Sequence, residues 1–194
     1  MITRYKKNLK ILEENNVYSK KMEHDACGVG LVASTEGKKS RKVVEYGIEA
    51  LKAVWHRGAV DADGKTGDGA GIHLEIPKDF FSEKIELTGH HYDNSEICVG
   101  MIFLPRNNYA AQESARTLVE KELTKSNFSI YGWRQVPVNP KVLGPTADSN
   151  RPEIAQVLFR KNEVIKTNDL ERDLYEARKK IEKHARENQL NSFY

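Results

Sequence analysis

Apolar residues at Val44, Ile48, Leu51 and Trp55 recur at helical spacing, with Arg41, Lys42, Glu45, Glu49 and Lys52 on the remaining faces. This pattern predicts an amphipathic helix, in spite of Gly47, that ends near His56, Arg57 and Gly58. The same period at Ala111, Ala115 and Leu118, extended by Val119 and Leu123, predicts a second helix, and Leu170, Leu174, Ala177, Ile181 and Ala185 predict a third. Elsewhere the pattern is extended. Residues 27–34 form a short β-rich run closed by the turn-forming Thr35, Glu36 and Gly37, and residues 72–76 alternate Ile, His, Leu, Glu, Ile until Pro77 stops them. Residues 97–104 are almost continuously apolar, as expected of a strand in the middle of a sheet covered on both faces. Residues 129–139 and 154–161 supply two further strands, and 191–194 a strand-like fragment with none after it. The resulting order, β-α-β-β-α-β-β-α, is α+β and not a repeating βαβ array.

With 39% hydrophobic and 30% charged residues over 194 positions, the chain is apolar enough to bury a core. No apolar run approaches the roughly 20 residues that cross a bilayer. Residues 1–26 have no continuous apolar stretch of the secretory type, so a cytoplasmic location is expected. The formal net charge is only +3, basic and acidic residues interleave, and no Lys/Arg stripe has aromatic partners, so neither nucleic acid nor membrane is an expected partner. Most of that charge is in residues 1–26, where Arg4, Lys6, Lys7, Lys10, Lys20 and Lys21 outnumber Glu13, Glu14, Glu23 and Asp25. This segment is expected to be a leader or propeptide, with residues 27–194 as the folded part.

Several candidate motifs fail on context. The loop 59–71, with four glycines and three aspartates, contains a loose phosphate-loop match ending in Gly64, Lys65 and Thr66. It follows a helix rather than a strand, however, and Asp61, Asp63 and Asp68 would repel phosphate. As a calcium loop it would place Lys65 at the fifth ligand position and Ile72 where the bidentate Glu belongs. The reading that needs no ligand is a glycine-rich turn whose aspartates accept backbone N–H bonds. His24, His56, His73, His90, His91 and His184 form no set with metal-site spacing, so no metal is expected.

The two cysteines, Cys27 and Cys98, fit neither a disulfide framework nor a zinc ribbon. Cys98 reads as a small buried hydrophobe within its strand. Cys27 begins the first regular run and is followed by Gly28 and Gly30. Cleavage between Ala26 and Cys27 would place a new α-amine, with a reference pKa of about 7.7–8.0, beside a thiol of about 8.5, giving base and nucleophile on one residue. A lone cysteine at a strand start also has a purely structural reading.

Four groups of residues follow one another along the chain: Glu23-His-Asp-Ala-Cys27-Gly-Val-Gly30; His56-Arg-Gly-Ala59 with Ala62-Asp63 and Thr66-Gly-Asp-Gly-Ala-Gly-Ile72; Gly132-Trp-Arg-Gln-Val-Pro-Val-Asn139 with Leu143-Gly144; and the helix 169–178. Taken together, in this order and spacing, they resemble the amino-terminal region of the glutamate synthase large subunit. The resemblance implies a class II glutamine amidotransferase domain, an N-terminal-nucleophile hydrolase of αββα sandwich form with mostly antiparallel sheets. It implies Cys27 as the nucleophile that forms a γ-glutamyl thioester and releases ammonia, with Arg57 and Gly58 shaping the site. The family's Arg, Asn-Gly and Asp that hold and polarise glutamine are not found here, so the sandwich and its site are expected to be incomplete. Each oxyanion donor lost typically costs about 10²–10³ in rate. FMN and the iron–sulfur cluster would belong to family regions outside this chain. The expected partners are glutamine as substrate and a completing chain or downstream glutamate synthase domains. The alternative is a catalytically incomplete module that a partner completes.

Overall fold

The computed structural model describes residues 2–15, 28–55, 58–162 and 169–190. The chain divides into two compact units, Met1–Gly58 and Ala59–Tyr194. Among the described residues no helix is long and apolar enough to cross a membrane.

The first unit holds α1 (Ile2–Glu14) and α2 (Arg41–Ala53). The Ser40 hydroxyl accepts the Lys42 amide at 3.2 Å, satisfying one of the first-turn donors of α2. Val44, Ile48 and Leu51 are half-buried on one stripe of this helix, as their spacing predicts. Trp55 is not on the stripe: α2 ends at Ala53, and Trp55 is 77% exposed. The strand expected over 27–34 is absent from its described part, 28–34, where Val29 and Leu31 are 94% and 91% exposed. A β-rich run becomes a strand only when another backbone answers its N–H and C=O groups. Cys27 itself lies outside the described residues.

The second unit is built on a three-stranded antiparallel sheet in the order β1-β3-β2, comprising β1 (Cys98–Leu104), β2 (Phe128–Gln135) and β3 (Glu153–Lys161). All three strands were expected, but their places differ. The near-continuous apolar run of β1 predicts a central strand, whereas among the described residues β1 pairs with β3 alone, from Cys98↔Phe159 to Leu104↔Glu153. The centre belongs to β3, where Val157, Leu158 and Phe159 are all buried because both faces are covered there. A bulge interrupts the β2–β3 register between Ile130 and Gly132. Gly132 has φ +149°, and a Cβ there would stand 3.0 Å from the side chain of Thr88.

One sheet face packs on α4 (Tyr109–Lys125) and α6 (Leu170–Glu187), which enclose Leu104, Phe128, Val157 and Phe159 with Val119, Leu123 and Ala177. The helix periods at 111–123 and 170–185 place these residues correctly. Asn108 and Asp169 cap the two helices, accepting the Ala111 and Arg172 amides at 3.0 Å each. The other face is covered at one end by α3 (Lys78–Leu87), whose Phe81 and Ile85 pack on Ile97, Tyr131 and Leu158. This helix is not foreseen by the sequence reading. Its signal is the i, i+4 pair Phe81 and Ile85 following Pro77, which serves as N-cap instead of merely ending a strand. The strand expected at 72–76 does not form. A short helix, α5 (Pro145–Asn150), precedes β3.

Candidate active site

The glycine-rich loop carries the most developed local geometry. Val60 and Gly67 bridge antiparallel, the Asp61 amide donates to Thr66 O at 2.7 Å, and Gly64 turns the chain with φ +69°. These contacts fold residues 59–68 into a hairpin. At its base the Ala59 amide donates to Asp68 Oδ2 at 2.8 Å.

At its tip Asp63 accepts four donors. Oδ1 takes the Lys65 amide at 2.9 Å and the Thr66 amide at 2.7 Å; Oδ2 takes the Thr66 hydroxyl at 2.5 Å and the Thr146 amide at 3.2 Å. Thr66 Oγ1 in turn accepts the Ala147 amide at 3.2 Å. Thr146 and Ala147 are in the first turn of α5, whose own N-cap, Gly144, has no side chain to serve them. The loop therefore caps a helix from some eighty residues away. The Thr66 hydroxyl, followed by the Thr66 and Lys65 amides, holds the Asp63 carboxyl well below the usual carboxylate range against the cost of desolvation, and the Thr146 amide adds to this. The aspartates thus accept backbone N–H groups, as the ligand-free reading of the loop expects.

A second polar network fastens the loop after α3 to the bulge of β2. Tyr131 donates to Asp93 Oδ1 at 2.9 Å, its hydroxyl lies 2.9 Å from Ser95 Oγ, and Thr88 donates to Tyr131 O at 2.9 Å. The Ser95 hydroxyl and amide, assisted by Tyr131 and Arg160, bring Asp93 down to about 2 despite some desolvation.

Cys98 is buried, and burial above all, reinforced by the Glu96 and Glu171 charges, pushes its thiol up to about 12. It remains protonated near neutrality and is a packing residue rather than a nucleophile. Of the expected site residues, Gly58 is exposed, with its amide donating to Trp55 O at 3.0 Å, while Cys27 and Arg57 lie outside the described residues. Among the described residues no three His, Cys, Asp or Glu side chains converge as a metal site. Sequence reading named Asp63 and Gly144 within separate motifs but missed that they meet, since nothing local in either segment points to the other.

The family profile described as "Glutamine amidotransferases class-II" matches residues 27–194. The chain belongs to the class II glutamine amidotransferase family, and its mixture of helices with an antiparallel sheet is the α+β class expected. Among curated proteins it is similar to the glutamate synthase [NADPH] large chain of Azospirillum brasilense, 49% identical over 190 residues, which is 98% of this chain and 12% of that protein. It is also similar to ferredoxin-dependent glutamate synthase 2 of Synechocystis sp., 39% identical over 166 residues covering 85% of this chain and 11% of the relative. A chloroplastic ferredoxin-dependent glutamate synthase of Spinacia oleracea is 37% identical over 164 residues, 84% of this chain and 10% of the relative. The chain therefore spans about a tenth of the length of the relatives it matches.

Proposed function

We propose that this chain is the glutamine-hydrolysing portion of a glutamate synthase, with Cys27 as an N-terminal nucleophile exposed by removal of residues 1–26. The observation that carries the reading is the point at which the family match begins: it opens at residue 27, the cysteine itself. Residues 1–26 then form the propeptide and 27–194 part of the amidotransferase domain. The thiol of Cys27 gives its proton to the freed α-amine, and the sulfur attacks the side-chain carbonyl carbon of glutamine. The C–N bond breaks as the amine returns the proton to the departing ammonia, leaving a γ-glutamyl thioester that water hydrolyses to glutamate. Arg57 and Gly58 shape the site around the nucleophile. Cys98 does not compete, being buried and protonated.

Ammonia released here would serve the conversion of 2-oxoglutarate to glutamate in other regions of a synthase, where FMN and the iron–sulfur cluster are placed. Glutamine as substrate, the downstream synthase domains as partners and a cytoplasmic location belong to the same proposal. Intact mass spectrometry of the expressed chain tests it. A species beginning at Cys27 is expected, and a chain that always keeps Met1 would remove the N-terminal-nucleophile role.

A further inference from the structure

The dipeptide Asp-Gly occurs twice in the glycine-rich loop, at Asp63-Gly64 and at Asp68-Gly69. In such a pair the glycine nitrogen can attack the aspartate side-chain carbon, because the attacking residue has no Cβ to hinder closure of a five-membered ring. The N–Cγ bond forms, the Cγ–O bond breaks, and one water leaves with the N–H proton; where the carboxyl is ionised the second proton comes from solvent. Water then opens the succinimide. Attack at the side-chain carbonyl restores aspartate, and attack at the main-chain carbonyl leaves isoaspartate, with the backbone rerouted through the side chain and a free carboxylate where the main chain ran. The sequence consumes and returns water and needs no other reactant.

The two pairs are alike in chemistry but held differently. A Cβ on Gly64 or on Gly69 would meet nothing within 4 Å, so crowding does not separate them. Hydrogen bonding does. Both oxygens of Asp63 are engaged by the Lys65, Thr66 and Thr146 amides and the Thr66 hydroxyl, which also keep the carboxyl ionised and hence a poor electrophile. The Gly64 amide is committed to Asp61 O at 2.9 Å. Ring closure at Asp63 therefore requires the hairpin tip to open. Asp68 is exposed and accepts a single bond, from the Ala59 amide to Oδ2 at 2.8 Å. Among the described residues nothing accepts the Gly69 N–H.

We propose that Asp68 is a site of spontaneous isoaspartate formation in the folded chain, and that the fold withholds the same reaction from Asp63. Isomerisation adds one methylene to the main chain between Gly67 and Gly69 and takes the Oδ2 acceptor away from the Ala59 amide, so the base of the hairpin loosens while its tip stays on α5. The carboxylate set free is a substrate for a protein carboxyl methyltransferase that recognises isoaspartate.

Ageing the whole chain near neutral pH, at a temperature well below its unfolding midpoint, tests this. Trypsin cuts after Arg57, Lys65 and Lys78, so the two sites fall in separate peptides, 58–65 and 66–78. Isoaspartyl and aspartyl forms have equal mass but separate by reversed-phase chromatography, and the isoaspartyl form takes a methyl group from S-adenosylmethionine in the presence of an isoaspartyl methyltransferase. Isoaspartate in 66–78 should exceed that in 58–65 by about tenfold in the folded chain, since reaction at Asp63 waits on local opening. In guanidinium the two should accumulate alike. Thr66→Val, which removes the hydroxyl from Asp63, should raise the product in 58–65 several-fold and leave 66–78 unchanged, whereas Asp68→Glu, whose ring would be six-membered, should abolish it in 66–78. Equal product at the two sites in the folded chain, or an excess in 66–78 that persists in guanidinium, would overturn the proposal, as would a Thr66→Val chain in which Asp63 stays unreactive.

Discussion

Leu104 and Met101 lie on opposite faces of β1, and truncating each to alanine should cost very different amounts. Leu104 is 0% exposed, in the cluster with Phe128, Val157 and the facing residues of α4 and α6; Met101 is 46% exposed on the face that α3 covers only in part. Leu104→Ala removes three carbon centres at about 0.8 kcal/mol each, a transfer loss of about 2.4 kcal/mol. The cavity left in a layer held between sheet and helices brings the total to about 3–5 kcal/mol. Met101→Ala removes a side chain of similar size, but roughly half of it is already in water and solvent fills the space, so about 1 kcal/mol is lost. Its sulfur accepts a weak bond from Gln156, which keeps the Arg134 guanidinium as a partner. Urea unfolding followed by far-UV circular dichroism measures both, with the midpoint falling and the slope unchanged if the denatured state is unaffected. Equal losses for the two variants would refute the assignment of one covered and one open half-face.

Three further outcomes follow from named groups. Cys98 should resist Ellman's reagent at pH 8 in the folded chain and react only after unfolding in guanidinium; ready reaction of a Cys98 peptide in the native state would contradict its burial. Glu122 is 3% exposed between α4 and α6: burial drives its pKa up, but the Lys125 bond at 3.0 Å and the His184 ring at 3.3 Å together leave it lowered from 4.5. Asp93 is lowered likewise, from 3.8 to about 2. Groups with depressed folded values stabilise above their unfolded pKa and lose that contribution as pH falls, so urea midpoints should hold above about pH 4.5 and decline toward pH 2; a midpoint unchanged at pH 3 would contradict this. Asp169→Ala, which strips the cap from the Arg172 amide, should cost about 1 kcal/mol by urea unfolding, while Asp169→Asn should cost much less.

The sequence alone determined what depends on neighbours within a few residues. The helix periods at Val44–Leu51, at Ala111–Leu123 and at Leu170–Ala185 became α2, α4 and α6, because an apolar stripe of period 3.6 has one way to be buried. The thiol of Cys98 was legible as a packing residue from the apolar run around it, and the motifs that identify the family could be read in order along the chain. What required the tertiary structure was every pairing between distant segments. Residues 28–34 and 72–76 have the composition of strands, yet neither is one in the structure, since a strand needs the backbone of another. Among the described residues the most apolar strand, β1, has one neighbour, because β3 inserts antiparallel between β1 and β2. Asp63 and Gly144 belong to motifs some eighty residues apart, and only the folded chain brings a carboxylate to the uncapped turn of α5, past the one residue with no side chain to obstruct it.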